Sequence, residues 1–253
     1  MYRAAMRHLA SLFASILVVL ASACGGTSDP TASWVPNEGP PATVSGHAFV
    51  FGPNGAGLSL EGAVVSVGES PGVTATVAAD GTFAIAAPSG GPATFSLTQT
   101  GFFPNQSATL DITADGVAML GFQAPTNDAV DILASLVRVT PDPTRCQIST
   151  TVSRAGTEPY GGDGLGVDGA IVTIDPPLPA SSGPIYFAYG SLPFPDRTLT
   201  ATSIDGGVLF ANVPVGEYTL TATKSGVTFS TVDIRCRAGV LVNAAPPHGI
   251  QQQ

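Results

Sequence analysis

The sequence predicts an all-β chain built as two tandem β-sandwiches with a short helix between them. Three observations carry this. Apolar and polar residues alternate in short runs, as in Tyr218, Leu220 and Ala222 against Thr219, Thr221 and Thr223, the period of a half-buried strand. Turn chemistry punctuates these runs: Asp80-Gly81 and Asp205-Gly206 suit tight hairpins, and the 253 residues include 30 Gly and 22 Pro. Finally, Gly62-Ala-Val-Val-Ser-Val67 recurs in type as Gly169-Ala-Ile-Val-Thr-Ile174, the mark of a duplicated unit.

The first sandwich is expected over residues 44–125. Val44 to Phe51 opens it, and residues 62–67, 73–77, 82–86, 93–98, 108–113 and 117–122 read as further strands. The second, over 144–247, begins with Gln147 to Ser153. From the repeated strand to the Asp-Gly turn is 18 residues in the first copy, Gly62 to Asp80, and 36 in the second, Gly169 to Asp205. The second copy therefore carries an 18-residue insertion within about 176–198. Its later part alternates through Val208, Phe210 and Asn212, turns at Val213-Pro-Val-Gly216 and resumes at Tyr218.

Between the copies, residues 126–143 form a spacer. Val130, Leu133 and Val137 stand at helical spacing, Asn127 or Asp128 offers an N-cap, and Pro141 stops the element. We read a short helix; Ile, Leu and Val also suit a strand, and that alternative stands on sequence alone. The last residues, 248–253, read as a tail.

Charged residues are only 11% and apolar ones 44%, which suits a turn-rich β protein and not a disordered chain. Leaving out residues 1–23, the chain carries 7 basic against 18 acidic residues, a net charge of −11. That balance, without a basic cluster, argues against nucleic acid as a partner.

Residues 1–23 have the form of a secretory signal: Arg3 and Arg7, an apolar run from Leu9 to Leu20, then Ala21-Ser22-Ala23. The run is short for a transmembrane helix. Leu20-Ala-Ser-Ala-Cys24-Gly-Gly26 resembles the lipobox of bacterial lipoproteins, although the leucine sits one position early. The resemblance implies lipidation at Cys24, a membrane partner through the lipid anchor, and a place in the cell envelope. Gly25 after the cysteine fits the outer membrane where an aspartate retention rule holds. Residues 24–43, rich in Gly, Pro and Ser, read as a flexible tether. Trp34 lies within it, to pack against the first sandwich or to recognise a partner.

With Cys24 lipidated, Cys146 and Cys236 remain as a pair in an oxidising setting, and we expect a disulfide between them. In the chain-entropy account, closing so long a loop stabilises by about 4–5 kcal/mol.

The order Gly-Ala-Val-Val-Ser-Val, Asp80-Gly-Thr-Phe, Pro88-Ser-Gly-Gly, then a Thr-rich strand ending Thr100-Gly-Phe-Phe-Pro104 resembles the carboxypeptidase regulatory-like domain. The second copy resembles it through Gly-Ala-Ile-Val-Thr-Ile, Asp-Gly-Gly-Val and Val-Pro-Val-Gly-Glu-Tyr-Thr-Leu. The resemblance covers about 180 residues and implies transthyretin-like (prealbumin-like) β-sandwiches. The matching residues are turns and core strands, so they inform fold and not function. That fold class also includes carbohydrate-binding modules.

Catalysis has little to rest on. His8 lies in the signal, His47 in the first strand and His248 at the end, none beside a Gly-x-Ser-x-Gly turn. His47 reads as a partly exposed strand residue. No His-x-x-Glu motif carries over the zinc site of the carboxypeptidases, and no cofactor is called for. Asp163 and Asp168 in a Gly-rich loop supply too few oxygens for calcium. A single lysine, Lys224, cannot serve both copies in the Lys–Asn isopeptide bond of related adhesin sandwiches.

The candidate ligand-binding residues are Tyr186, Tyr189 and Phe194, in the aromatic insertion Ile185–Phe194. Flat rings stack on sugars or anchor a protein partner; the alternative is that Phe187 and Phe194 fill the core while Tyr186 and Tyr189 edge it, and Phe102 and Phe103 allow the same two readings. These features predict a non-enzymatic envelope lipoprotein acting as a binding or scaffolding module. Its partner is a polysaccharide or an envelope protein; the alternative is a purely structural spacer or assembly subunit.

Overall fold

The computed structural model describes residues 34–52, 58–158, 166–190 and 193–253. The predicted signal, the Cys24 lipidation position, the start of the tether and Asp163 lie outside the described residues.

The first repeat contributes β1 (Pro41–Val50), β2 (Val64–Val67), β3 (Ser70–Thr76), β4 (Thr82–Pro88), β5 (Gly91–Ala93), β6 (Phe95–Thr98), β7 (Asn105–Ser107), β8 (Leu110–Ile112) and β9 (Val117–Ala124). After helix α1 (Asn127–Leu136), the second adds β10 (Cys146–Thr151), β11 (Ile171–Asp175), β12 (Ile185–Ala188) and β13 (Phe194–Asp196). It closes with β14 (Gly207–Val213), β15 (Gly216–Thr223), β16 (Val232–Cys236) and β17 (Leu241–Ala244).

Duplication is visible in the pairing. β1 lies between β4, antiparallel, and β9, parallel; β10 lies in the same way between β14 and β17. β2–β6–β7 likewise corresponds to β11–β15–β16. The repeated motifs do equivalent jobs: Ala63 and Val65, like Ala170 and Val172, are buried in their respective cores. Asp80-Gly81 and Asp205-Gly206 both turn with glycine at positive φ, the conformation glycine adopts at little cost.

The copies are not beads on a string, however. β17 of the second pairs in parallel with β7 of the first. One sheet thus runs β13-β12-β14-β10-β17-β7-β6-β2-β3 through both. Residues opposite one another across a ladder share a face. One face therefore carries Val65, Leu97, Asn105, Leu241 and Gln147, and the other carries Ser66, Ser96, Gln106, Val242 and Ile148. Apart from Asn105, the first face is apolar in repeat one and mixed in repeat two; the second is polar in repeat one and apolar in repeat two. The small sheet β4-β1-β9 accordingly covers one face, and β11-β15-β16 covers the other at the opposite end. This staggered arrangement leaves two re-entrant corners.

Several predicted boundaries change. The expected tether 24–43 ends in structure: β1 starts at Pro41, Asn37 donates to the carbonyls of Pro88 and Gly91, and Gly39 pairs with Ser89. The expected tail 248–253 is a core segment, with Ile250 fully buried and Gln251 and Gln252 bridged to Ser153 and Phe229. The strand expected over 108–113 divides, because Ala108 joins the second core while Ile112 joins the first. Thr126, and not Asn127 or Asp128, caps α1, its side chain accepting from the Ala129 N–H.

The alternation through Val208, Phe210 and Asn212 breaks at Asn212. This residue takes φ 52° and lets both Phe210 and Val213 point into the core. Asparagine tolerates that conformation. Its amide is held by Gln147, Thr140 and the Asp142 N–H at 2.9–3.0 Å.

β1 and β9 approach closely at a register shift beside Gly46. A Cβ there would lie 1.8 Å from the Leu120 carbonyl oxygen, and both sides are backbone. Gly46→Ala is therefore expected to destabilise the fold by roughly 3 kcal/mol. Gly72→Ala, which meets nothing within 4 Å, should stay within about 0.5 kcal/mol. Urea unfolding of both variants checks the contrast.

Candidate functional site

The aromatic insertion forms the hairpin β12–β13, attached through β12 to β14 at the sheet edge. It does not bring its three candidate residues to one surface. Tyr186 is 2% exposed and belongs to the second core. Its hydroxyl accepts from the Val172 N–H at 3.1 Å, and burial pushes its pKa up. A buried phenol serving a backbone donor is a packing residue, which corrects the expectation for Tyr186.

Tyr189 and Phe194 are 61% and 44% exposed. Phe194 stands opposite Ala188 and so shares a face with Tyr186. Tyr189 follows one residue beyond the end of β12. Phe187 is buried against α1 and the groove described below.

Cys146 and Cys236 form the expected disulfide, both fully buried. The bond ties the start of β10 in the large sheet to the end of β16 in the small one, across the core of repeat two. Strand alternation around Cys236 turns Arg235 and Arg237 to the opposite face.

That face builds the first corner. Glu69, in the β2–β3 turn of repeat one, has a side chain only 1% exposed. Its Oε1 pairs with Arg235 Nη1 at 2.9 Å and Arg237 Nη2 at 2.8 Å, both from repeat two. The Thr94 N–H donates to Oε2 at 2.8 Å. Arg237 also donates to Thr94 Oγ1 and Gln106 Oε1, and the Gln106 amide donates to the Arg235 carbonyl. Burial works to raise the Glu69 pKa, but the Thr94 N–H and the two guanidiniums outweigh it and hold the carboxyl below its ordinary value.

Trp34 closes this corner from outside. Its indole N–H donates to Glu217 Oε1 at 2.8 Å, and its ring lies 4.8 Å from the Arg237 guanidinium, a cation–π contact. Packing against the first sandwich was one of the two expectations for Trp34; its indole instead meets Glu217 and Arg237 of repeat two. Sequence reasoning missed the corner because Glu69 and Arg235 are 166 residues apart. The one local signal was Arg235-Cys-Arg237, two charges on one face of a strand.

The second corner is apolar and is roofed by α1. Val130, Leu133, Ala134 and Val137 face Leu209, Ala211 and Leu241 of the large sheet, with Phe51 and Phe103 of repeat one at the side. Val137 packs with Ile185 and Ala211, and Arg197 holds the helix end through the Val137 carbonyl at 2.9 Å. No α1 residue is fully buried, so the helix lies over a groove and does not fill it.

His47 is half-buried in β1, opposite Thr82 and Gly121. His248, read as part of a tail, contacts the Ala118 carbonyl of repeat one at 2.8 Å, and burial pushes its pKa down. Asp80 and Asp205 accept from the N–H groups two residues on, as turn residues do. Lys224 donates to the Asp168 carbonyl. Among the described residues no cluster of three His, Cys, Asp or Glu is placed to hold a metal, and no helix is long and apolar enough to cross a membrane.

No family model and no curated protein matches the sequence. Among solved structures, the Bacillus anthracis TIE protein aligns at 13% identity over 84% of this chain and 34% of its own length, with a TM-score of 0.27. The chain thus spans about a third of that protein. The minor pilin GBS52 of Streptococcus agalactiae aligns at 10% identity over 83% of this chain and 95% of its own, with a TM-score of 0.25. The shaft pilin SpaA of Lactobacillus rhamnosus GG gives 12%, 84%, 97% and 0.25 in the same order. The assignment of this chain as an all-β protein of two sandwiches and a short helix rests on its own strands and cores.

Proposed function

We propose that this chain is a non-enzymatic, membrane-anchored envelope lipoprotein acting as a rigid binding or scaffolding module. Its two repeats are read as carboxypeptidase regulatory-like sandwiches. The observation that carries the reading is the fusion of the repeats. A shared nine-stranded sheet, the Glu69–Arg235–Arg237 cluster and contacts such as His248 to Ala118 join them into one body. Such a body holds attached partners at a fixed separation, which suits assembly in the envelope. The buried disulfide supports an exported setting.

Anchoring is tested at Cys24. The wild-type protein is expected to incorporate labelled palmitate and sediment with membranes, and Cys24→Ala to lose the label and become soluble. Retention of Cys24→Ala on membranes would overturn the lipid anchor. Crosslinking of the anchored protein in its native envelope tests the scaffolding role; recovery of the uncrosslinked monomer alone counts against it.

A second reading, polysaccharide binding, is favoured by the exposure of Tyr189 and Phe194 on one hairpin. Here affinity electrophoresis on a glycan panel should show retardation that Tyr189→Ala or Phe194→Ala removes. A ring stacked on sugar contributes on the order of 1 kcal/mol, so each loss should be several-fold. Unretarded migration on every glycan eliminates this reading.

A further inference from the structure

We infer that residues 34–40 form a latch that shortens the membrane leash and fixes which face of the anchored protein lies toward the lipid. This rests on the lipoprotein reading above. The strap crosses both repeats. Asn37 and Gly39 bind the Pro88–Gly91 turn of repeat one, and Trp34 binds Glu217 and Arg237 of repeat two. The polar corner is therefore closed by the very segment that leads to the anchor.

Chain length makes the contact consequential. From Cys24 to Trp34 is 10 residues, and from Cys24 to the start of β1 at Pro41 is 17. At about 3.5 Å per residue these span at most about 35 Å and about 60 Å. A folded body of this length is about 45 Å across. With the latch closed, the leash is shorter than the body and leaves from the polar corner; with it open, the leash exceeds the body and leaves from the end of a strand. The latch thus turns the polar corner toward the membrane. The apolar corner, with α1, lies across the large sheet and is presented outward.

Two exposed positions report the two sides. Val64 stands at the start of β2, on the same sheet face as Ser66 and Gln106, whereas Ile132 is on α1. Native Cys146 and Cys236 are bonded, so Val64→Cys or Ile132→Cys adds one labelling thiol to the lipidated protein. The labelled proteins are placed in phosphatidylethanolamine–phosphatidylglycerol vesicles containing a rhodamine headgroup lipid, and energy transfer is measured. The Val64 label is expected to transfer more strongly than the Ile132 label, and Trp34→Ala should abolish the difference.

Equal transfer from both positions with Trp34 intact would overturn the latch, as would a difference that survives Trp34→Ala. Thermal melts of Trp34→Ala should overlay wild type, since the strap is peripheral to both cores. Flotation of Cys24→Ala is scored separately. Vesicle binding that persists without the cysteine defeats the lipoprotein reading and the latch with it, whereas lost flotation with equal transfer in wild type defeats the latch alone.

Discussion

Glu69→Ala is expected to destabilise the folded chain by about 3–5 kcal/mol at neutral pH. The carboxylate is enclosed, and the Arg235 side chain it neutralises is only 8% exposed. Removing the acid leaves a buried guanidinium without its counter-ion, the costly half of breaking a buried pair. Glu217 cannot substitute, because it contacts Arg235 Nε at 3.4 Å from an exposed position. Glu69→Gln retains the shape without the charge and should lose less. Equilibrium denaturation at several salt concentrations checks both variants; a loss that vanishes in high salt would mean the cluster is solvated, since buried pairs are screened little.

The same residue gives the pH dependence a sign. Its carboxyl titrates below the ordinary carboxylate value when folded. Its contribution is therefore complete above the unfolded value and declines as pH falls through the folded one. Wild type should lose stability on acidification, and the gap between wild type and Glu69→Gln should narrow in the same window.

The second large effect is expected at the disulfide. Cys146→Ala with Cys236→Ala opens a loop of sequence separation 90, a loss of about 4–5 kcal/mol in the chain-entropy account. Both sulfurs are buried in the core of repeat two, so lost packing adds to the entropic term. Dithiothreitol without denaturant should leave the bond intact, as neither cysteine is exposed. Cys236 lies between the two arginines that hold Glu69, so the triple variant should depart from additivity, as contacting sites do. Denaturant midpoints for the three variants measure this directly.

Local chemistry was legible in the sequence. Turns at Asp80-Gly81 and Asp205-Gly206 and the duplicated Gly-Ala-Val-Val-Ser-Val strand follow from spacing and turn residues; the cysteine pair follows from the exported setting, and the short helix stands beside a strand as one of two readings. What alternation cannot say is which sheet a strand joins. Ser66, Ser96 and Gln106 are polar, yet they share a face with Val242 and Ile148. Only the β7–β17 pairing, between segments more than a hundred residues apart, reveals that. Tyr186 shows the other limit: an aromatic residue in a Pro- and Ser-rich insertion suits a binding surface or the edge of a core, and only its hydroxyl accepting from the Val172 N–H places it inside.

The position of β1 has a mechanical consequence. It is the first strand after the strap and the middle strand of its sheet, paired with β4 over residues 41–47 and with β9 between residues 44 and 50. Tension arriving from the N-terminal side acts along this strand. Its ladders on both flanks are then strained together in shear and do not unzip one bond at a time. Cooperative rupture of this kind demands more force than peeling an edge strand, so a protein tugged by its leash meets that pull at the element built to resist it.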